Sequence, residues 1–254
     1  MSNAADPSRM TIEELIQRCR SEMIPLTGKF SYFSITPMPE EDLRHYLHDP
    51  IAALPPAAIA SLPALHIILA PYLEKGTVGN GPRSSRDAVS FERPPESRLA
   101  PYALWEEEDL IVLVFGIKDI EVADYHYQFY SAMASLLADR WPQEVQERFY
   151  RTIREELTAE VHGEVDERSW HLKQSLLRRQ SNVRKETKLF REYARQAFED
   201  TMTLYLHGTC CDIDVETGPR QMPSRYLRRR LELLLTLYPP PEGYAVLPEQ
   251  LKAK

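Results

Sequence analysis

Apolar residues recur at helical spacing through most of the chain after residue 119. Between residues 143 and 161 an apolar residue returns every four positions: Val145, Phe149, Ile153, Leu157 and Val161. That spacing predicts an amphipathic helix with one buried face. Similar stripes predict further helices over 119–141, 166–177, 184–207 and 224–238. Because each of these helices has an apolar face to bury, we expect them to form one bundle.

The first hundred residues predict shorter elements that are separated by turns. Of the 20 prolines, 13 lie at or before Pro101, whereas Pro142 is the one proline between residues 102 and 218. Proline lacks a backbone donor and interrupts helices and central strands. Within this front part, Thr11 and Glu14 predict a capping box at the start of a helix. The continuous apolar run Leu110–Ile117 predicts a strand that is buried on both faces.

These patterns predict an α+β fold that is predominantly α: a helical bundle after residue 119, with a small sheet built from the N-terminal part. A length of 254 residues suits one sizeable domain or two small ones. We expect residues 1–10 to be a disordered leader and residues 11–254 to be a single α-rich domain. Its front, 11–118, holds mixed short elements, and its back, 119–254, is helical. Asp119 is the expected N-cap of the first long helix.

Charge is unevenly distributed in a chain whose overall composition is that of an ordinary globular protein. The net charge is −7, which argues against nucleic acid as the partner of the whole protein. Residues 1–170 contain 16 basic and 28 acidic residues, whereas residues 171–254 contain 15 and 10. Two interpretations follow. The basic back part binds an anionic partner, or its cations pair with acids inside one fold.

The cysteines and the apolar runs indicate the cellular location of the protein. Cys19, Cys210 and Cys211 are an odd number with two adjacent members, which is not a disulfide framework. A reducing, cytoplasmic location is therefore expected. The first residues show no basic segment followed by an apolar one, so no secretory signal is predicted. The apolar runs are too short to span a bilayer, and no membrane partner is expected. The oligomeric state is left open.

Two acidic segments are candidates for a divalent metal site. Glu156 and Glu160 are one helical turn apart, and His162 follows at the predicted helix end. Asp212 and Asp214 share one face if their segment is extended. Carboxylates and imidazoles are ligands of first-row divalent ions, so the implied cofactor is a divalent metal ion. In both segments the alternative is a solvated acidic surface or pairing with arginine.

Four other side chains are candidates for catalysis or for anion binding. His126 lies on the helix predicted over 119–141, and His207 lies close to the second acidic segment. Both imidazoles titrate near neutral pH and are candidates for acid–base catalysis. For His126 the alternative is a satisfied polar contact in a core. Arg225 and Arg228 begin the last predicted helix and are candidates for binding an anion.

The sequence is compatible with two classes of function and contains no motif that decides between them. One is a divalent-metal-dependent enzyme of hydrolase type that uses the carboxylates and histidines. The other is a non-catalytic interaction or regulatory protein, which binds a protein or an anionic partner through its basic C-terminal half. The residue types favour the first class, and the charge asymmetry favours the second.

Overall fold

The fold is α+β and mostly helical, as the sequence predicts. The computed structural model describes residues 9–76, 87–107, 109–178, 185–211 and 220–246. It is 53% helical and 18% strand, and its strands form two small sheets. Most of the expected leader, residues 1–8, lies outside the described residues. The chain divides into two compact units, one of residues 1–48 and 63–128 and one of residues 49–62 and 129–254.

The first unit contains both sheets. In chain order its strands are β1 (Arg9–Thr11), β2 (Ile24–Thr27), β3 (Phe30–Ser34), β4 (Ala64–Ala70), β5 (Tyr72–Glu74), β6 (Ala88–Ser90), β7 (Tyr102–Glu106) and β8 (Leu110–Gly116). The larger sheet has the order β2-β3-β4-β8-β7, in which β3, β4 and β8 are parallel and the two edge strands are antiparallel. The smaller sheet has the antiparallel order β1-β6-β5.

Strand β8 lies inside the larger sheet, and its apolar run is buried as predicted. It pairs with β4 on one side and β7 on the other, and every residue from Ile111 to Phe115 is buried. Helix α1 (Ile12–Cys19) begins with the predicted capping box, in which Thr11 Oγ1 accepts from the Glu14 amide at 3.3 Å and Glu14 Oε2 accepts from the Thr11 amide at 3.0 Å. The buried face of α1 and the two central strands share one core cluster, which includes Ile12, Leu15, Ile16, Ile68, Val112 and Val114.

The remaining helices are distributed as follows. Helix α2 (Glu40–Leu43) continues into a π-helical turn, Arg44–His48, in the first unit. The second unit contains α3 (Asp49–Ala52), α4 (Pro56–Ser61), α6 (Gln143–Thr158), α7 (Glu167–Leu177), α8 (Lys188–Cys210) and α9 (Ser224–Leu237). Helix α5 (Val122–Asp139) begins in the first unit and continues in the second. None of the helices in the described ranges combines the length and the apolar character that crossing a bilayer requires.

Several predicted helix boundaries differ from the structure. Helix α6 ends at Thr158 instead of continuing to Val161. Two other differences have a clear local reason. Helix α5 begins at Val122 rather than directly after Asp119, because Asp119 has a φ of +59° and adopts the left-handed conformation. Helix α8 continues past His207 through Gly208 to Cys210. Its last turn is held by the buried Thr209, whose hydroxyl lies 2.6 Å from the Leu206 carbonyl and 3.3 Å from the Ala53 carbonyl.

Gly163 allows a close backbone approach within the second unit. Its φ is +71°, and an added Cβ would lie 2.2 Å from the carbonyl oxygen of Gln221. The next residue, Glu164, donates its amide to the Arg220 carbonyl at 2.9 Å and accepts from the Met222 amide at 3.1 Å. The connection from α6 to α7 therefore packs directly against the segment that precedes α9.

Replacing Gly163 by alanine should lower the free energy of unfolding by about 3 kcal/mol, because left-handed strain and a backbone clash act together. Gly243→Ala is the control, since Gly243 also has a positive φ, +91°, but no atom of the described residues lies within 4 Å of an added Cβ. It should cost only the strain, about 1–2 kcal/mol. Urea denaturation followed by circular dichroism measures both values. Equal losses would contradict the close approach at Gly163.

Candidate functional site

The predicted metal ligand Glu156 lies in a buried ion pair with Arg230 of α9. Neither side chain is exposed to solvent. Arg230 donates from Nε to both carboxylate oxygens at 3.1 Å and from Nη2 to Oε2 at 2.6 Å. Such a bidentate fork is the strong form of an arginine–carboxylate contact. The carboxylate of Glu156 is therefore neutralised by a side chain of its own unit.

Glu164 extends this pair into a buried charge network. Arg230 Nη1 donates to Glu164 Oε2 at 2.9 Å, Lys173 Nζ donates to Oε1 at 3.0 Å, and the Tyr193 hydroxyl also donates to Oε1. Burial opposes the ionisation of Glu164, but Arg230 and Lys173 outweigh it and hold its pKa below the ordinary value. Burial and the Glu164 charge raise the pKa of Tyr193, so its hydroxyl remains a donor. The charges of the two carboxylates and the two cations balance. The network links α6 and the connection that follows it to α7, α8 and α9.

The other predicted metal ligands do not converge on Glu156. Glu160 and His162 are exposed in the connection that follows α6. Within the described ranges, the oxygen and nitrogen atoms of these three residues form no group whose members all lie within 4.8 Å of one another. Asp212 and Asp214 lie outside the described residues. Metal binding by these five residues stays a prediction.

The two predicted catalytic histidines lie in different units. His126 is buried in the first unit, with its Nε2 2.8 Å from the carbonyl oxygen of His45. His207 lies on the last turns of α8 in the second unit, where its ring centroid is 6.0 Å from that of Tyr130. Their proposed acid–base role is untested.

The two arginines predicted to bind an anion lie on α9 and contact their own helix. The guanidinium of Arg225 stacks 4.7 Å from the ring centroid of Tyr226, and Arg228 Nε lies 3.0 Å from Glu232 Oε1. Anion binding by these two arginines also stays a prediction.

Several cations of the basic back part pair with acids inside the second unit. Besides the pairs of Arg230, Arg220 lies 3.1 Å from Glu167, Arg229 pairs with Glu155, and Arg195 lies 2.6 Å from Asp139. These contacts favour the interpretation that the charge gradient is satisfied within the fold.

A separate cleft in the first unit brings together groups that the sequence interpretation did not select. Its volume is about 290 Å³, and its lining includes Tyr72, Arg93, Gly116, Lys118, Asp119 and Gln128. It lies where the parallel strands β4 and β8 end. Ligands of sheets with parallel strands commonly bind at this edge, since several loops leave the strands there together.

The backbone places the cleft residues directly after the two central strands. Beyond β8, the Ile117 amide donates to the Ala70 carbonyl at 2.9 Å and the Lys118 amide to the Pro71 carbonyl at 3.0 Å. Gly116 permits this approach, since an added Cβ would lie 3.0 Å from the Leu73 nitrogen. The side chains that follow the two strand ends are thereby held next to each other.

The polar groups of the cleft are not all matched by partners. Tyr72 donates its hydroxyl to Asp119, and this hydrogen bond raises the pKa of Tyr72. Arg93 Nη1 lies 3.6 Å from the Asp119 carboxylate. The ammonium of Lys118 lies 5.5 Å from the Tyr72 ring centroid, and in the described part of the chain no carboxylate forms an ion pair with it. Gln128 Oε1 is buried and has no hydrogen-bond partner among the described residues.

One feature of the sequence indicates this cleft: the position of two charged residues relative to a predicted strand. Lys118 and Asp119 directly follow the strand that the apolar run predicted, at its carboxyl end. Because an aspartate before a helix is also compatible with a cap, the sequence does not mark Asp119 as a binding residue. The contributions of Arg93 and Gln128 depend on tertiary packing, and no local pattern marks them.

Comparison of the chain with protein-family models, with curated proteins and with solved structures finds no match.

Proposed function

We propose that the first unit binds a small molecule bearing a carboxylate or phosphate group in the cleft at the carboxyl ends of β4 and β8. The observation that carries this proposal is the ammonium of Lys118, which lines the cleft without an ion-pair partner among the described residues. Arg93 also lines the cleft, although it pairs with Glu96 at 3.1 Å and lies 3.6 Å from Asp119. Guanidinium and ammonium groups are the usual protein partners of such anions.

Two further features support a ligand with both an anionic group and a hydrogen-bond donor. The buried Gln128 Oε1 lacks a donor within the described ranges, and a buried acceptor in that state costs free energy that a ligand can recover. The Tyr72–Asp119 hydrogen bond also holds a carboxylate in the lining. Asp119 disfavours ligands that are anionic throughout, because like charges repel.

This proposal retains the anionic partner expected from the sequence but assigns it to the first unit instead of the basic C-terminal half. The divalent-metal-dependent hydrolase stays a second prediction, which neither the described residues nor the comparisons test. The three cysteines are thiols rather than disulfides, which supports the proposed cytoplasmic location.

Titration with inorganic phosphate and with acetate, followed by nitrogen-15 NMR of the whole chain, tests the proposal. We expect saturable shifts of backbone amides between residues 116 and 120. Lys118→Met should weaken binding about tenfold, equivalent to about 1.4 kcal/mol. It should leave stability unchanged, because Lys118 is exposed.

Lys29→Met is the matched control, because Lys29 is an exposed lysine of the same unit that does not line the cleft. It should bind both anions as the unaltered protein does. Equal weakening by Lys29→Met would indicate non-specific charge attraction. The absence of saturable shifts at residues 116–120 would reject the cleft as the site.

A further inference from the structure

The end of α8 in the second unit carries two adjacent thiols. Cys210 is the last helical residue, and Cys211 follows in an extended conformation, with φ −132° and ψ 150°. This change of backbone direction lets the neighbouring side chains approach one another, and their sulfur atoms lie within 4.8 Å. Both are half-buried, and neither is in a disulfide.

The sulfur separation suits a shared metal ion. A metal–thiolate bond is about 2.3 Å long, so two thiolates on one ion have sulfurs at most about 4.6 Å apart. The Cys210 and Cys211 sulfur atoms lie within 4.8 Å of one another, a separation of the same order. Vicinal cysteines close a disulfide only with strained local geometry, which makes that alternative less favourable.

The electrostatics at the end of α8 favour a cation over a bare thiolate. The carbonyl groups at a helix C-terminus form the negative end of its dipole, which attracts a cation. Nearby, the phenol oxygen of Tyr130 lies 3.2 Å from the Pro50 carbonyl oxygen.

We propose that Cys210 and Cys211 together bind one thiophilic metal ion, of the zinc or copper(I) class, through both sulfur atoms. Thiolates are soft ligands that select these ions over magnesium or calcium. Binding deprotonates the two thiols, and the protons pass to solvent. This site is independent of the anion-binding cleft, which lies in the other unit.

The test measures zinc binding by the whole chain, purified under reducing conditions and without a nickel column. Competition with a chromophoric zinc chelator should show one Zn²⁺ per chain. Cys210→Ser and Cys211→Ser should each weaken binding at least tenfold, because hydroxyls are poor zinc ligands. Cys19→Ser is the matched control. Cys19 is buried in the first unit, burial raises its pKa to about 11, and its loss should leave zinc affinity unchanged.

Cadmium titration of the unaltered protein provides a second measurement that does not depend on any variant folding. A cadmium–thiolate charge-transfer band that saturates at one ion per chain is expected. The proposal is overturned if this band is absent, if the two serine variants bind zinc like the unaltered protein, or if intact mass shows a Cys210–Cys211 disulfide in freshly purified protein.

Discussion

Replacing Arg230 by methionine should lower the free energy of unfolding by about 3–5 kcal/mol. The guanidinium is fully buried and donates to both Glu156 and Glu164, which are also fully buried. Removal of the cation leaves two carboxylates in a low-dielectric interior, with Lys173 as the remaining buried cation contacting Glu164. The loss comes mainly from this uncompensated charge, because methionine retains much of the apolar volume.

Arg228→Met is the matched control on the same helix. Arg228 is half-exposed and pairs with Glu232 one turn away, a type of contact worth about 0.3–0.5 kcal/mol. Chemical denaturation near neutral pH should therefore separate the two variants by several kcal/mol. Similar small losses for both would show that the buried network contributes no more than a surface pair.

The pH dependence gives a second check on the same network. The folded state holds the pKa of Glu164 below its ordinary value, so Glu164 contributes stability above the pKa of the unfolded chain. That contribution is lost as pH falls through the folded-state pKa. In Arg230→Met the main stabilising cation is gone, so the difference between variant and unaltered protein should shrink as the pH is lowered.

The helical back part was predictable because its elements follow from local spacing. The stripe in α6 from Val145 to Leu157, the Asp166 cap of α7 and the start of α9 at Ser224 are present in the structure, whereas Val161 lies beyond the end of α6. The strand order was not predictable, since the pairing of β4 with both β3 and β8 depends on contacts between distant segments. The left-handed Asp119 shows the same limit at one residue, because an aspartate before a helix is compatible with a cap or a turn.

The buried charges were partly visible in the sequence. Arg230 lies among Leu227, Leu231 and Leu234, at a position that belongs to the buried stripe of α9. A charge at a core position needs a buried partner of opposite sign. Glu156 lies one turn from Ile153 on the buried face of α6, and is such a charge. Opposite charges at buried stripe positions of two helices favour an internal ion pair. These positions therefore favour a Glu156–Arg230 pair over a metal-binding role for Glu156.

Asp200 on α8 carries a partly buried carboxyl group whose ionisation is opposed by its surroundings. Gln196 Nε2 donates to Oδ1 at 2.7 Å, while Oδ2 is buried and has no partner in the described ranges. Burial raises the pKa of Asp200 to about 7, although Ser169 and Gln196 act to lower it. The negative charges of Asp166 and Glu199 raise it further.

Asp200→Asn should therefore make the protein more stable at pH 8. An unfolded aspartate ionises near pH 4, so the stability that protonated Asp200 provides is fully present below pH 4 and is lost as pH rises to about 7. A folded-state pKa that is about three units above that of the unfolded chain corresponds to roughly 4 kcal/mol of stability. Asparagine has a similar shape and stays neutral, so the variant avoids this loss. Thermal unfolding measured from pH 4 to pH 8 should show a weaker decline than in the unaltered protein.

Glu192→Gln is the control for Asp200→Asn, because Glu192 is an exposed acid on the same helix. Its neutralisation should leave the slope between pH 4 and pH 8 unchanged, since an exposed carboxylate is solvated in both states. A variant Asp200→Asn that is less stable than the unaltered protein at pH 8 would show that the carboxylate is needed in its ionised form. Asp200 would then have to interact with a cation. A dependence of the unaltered protein's melting temperature on metal ions or salt at pH 8 would identify that cation.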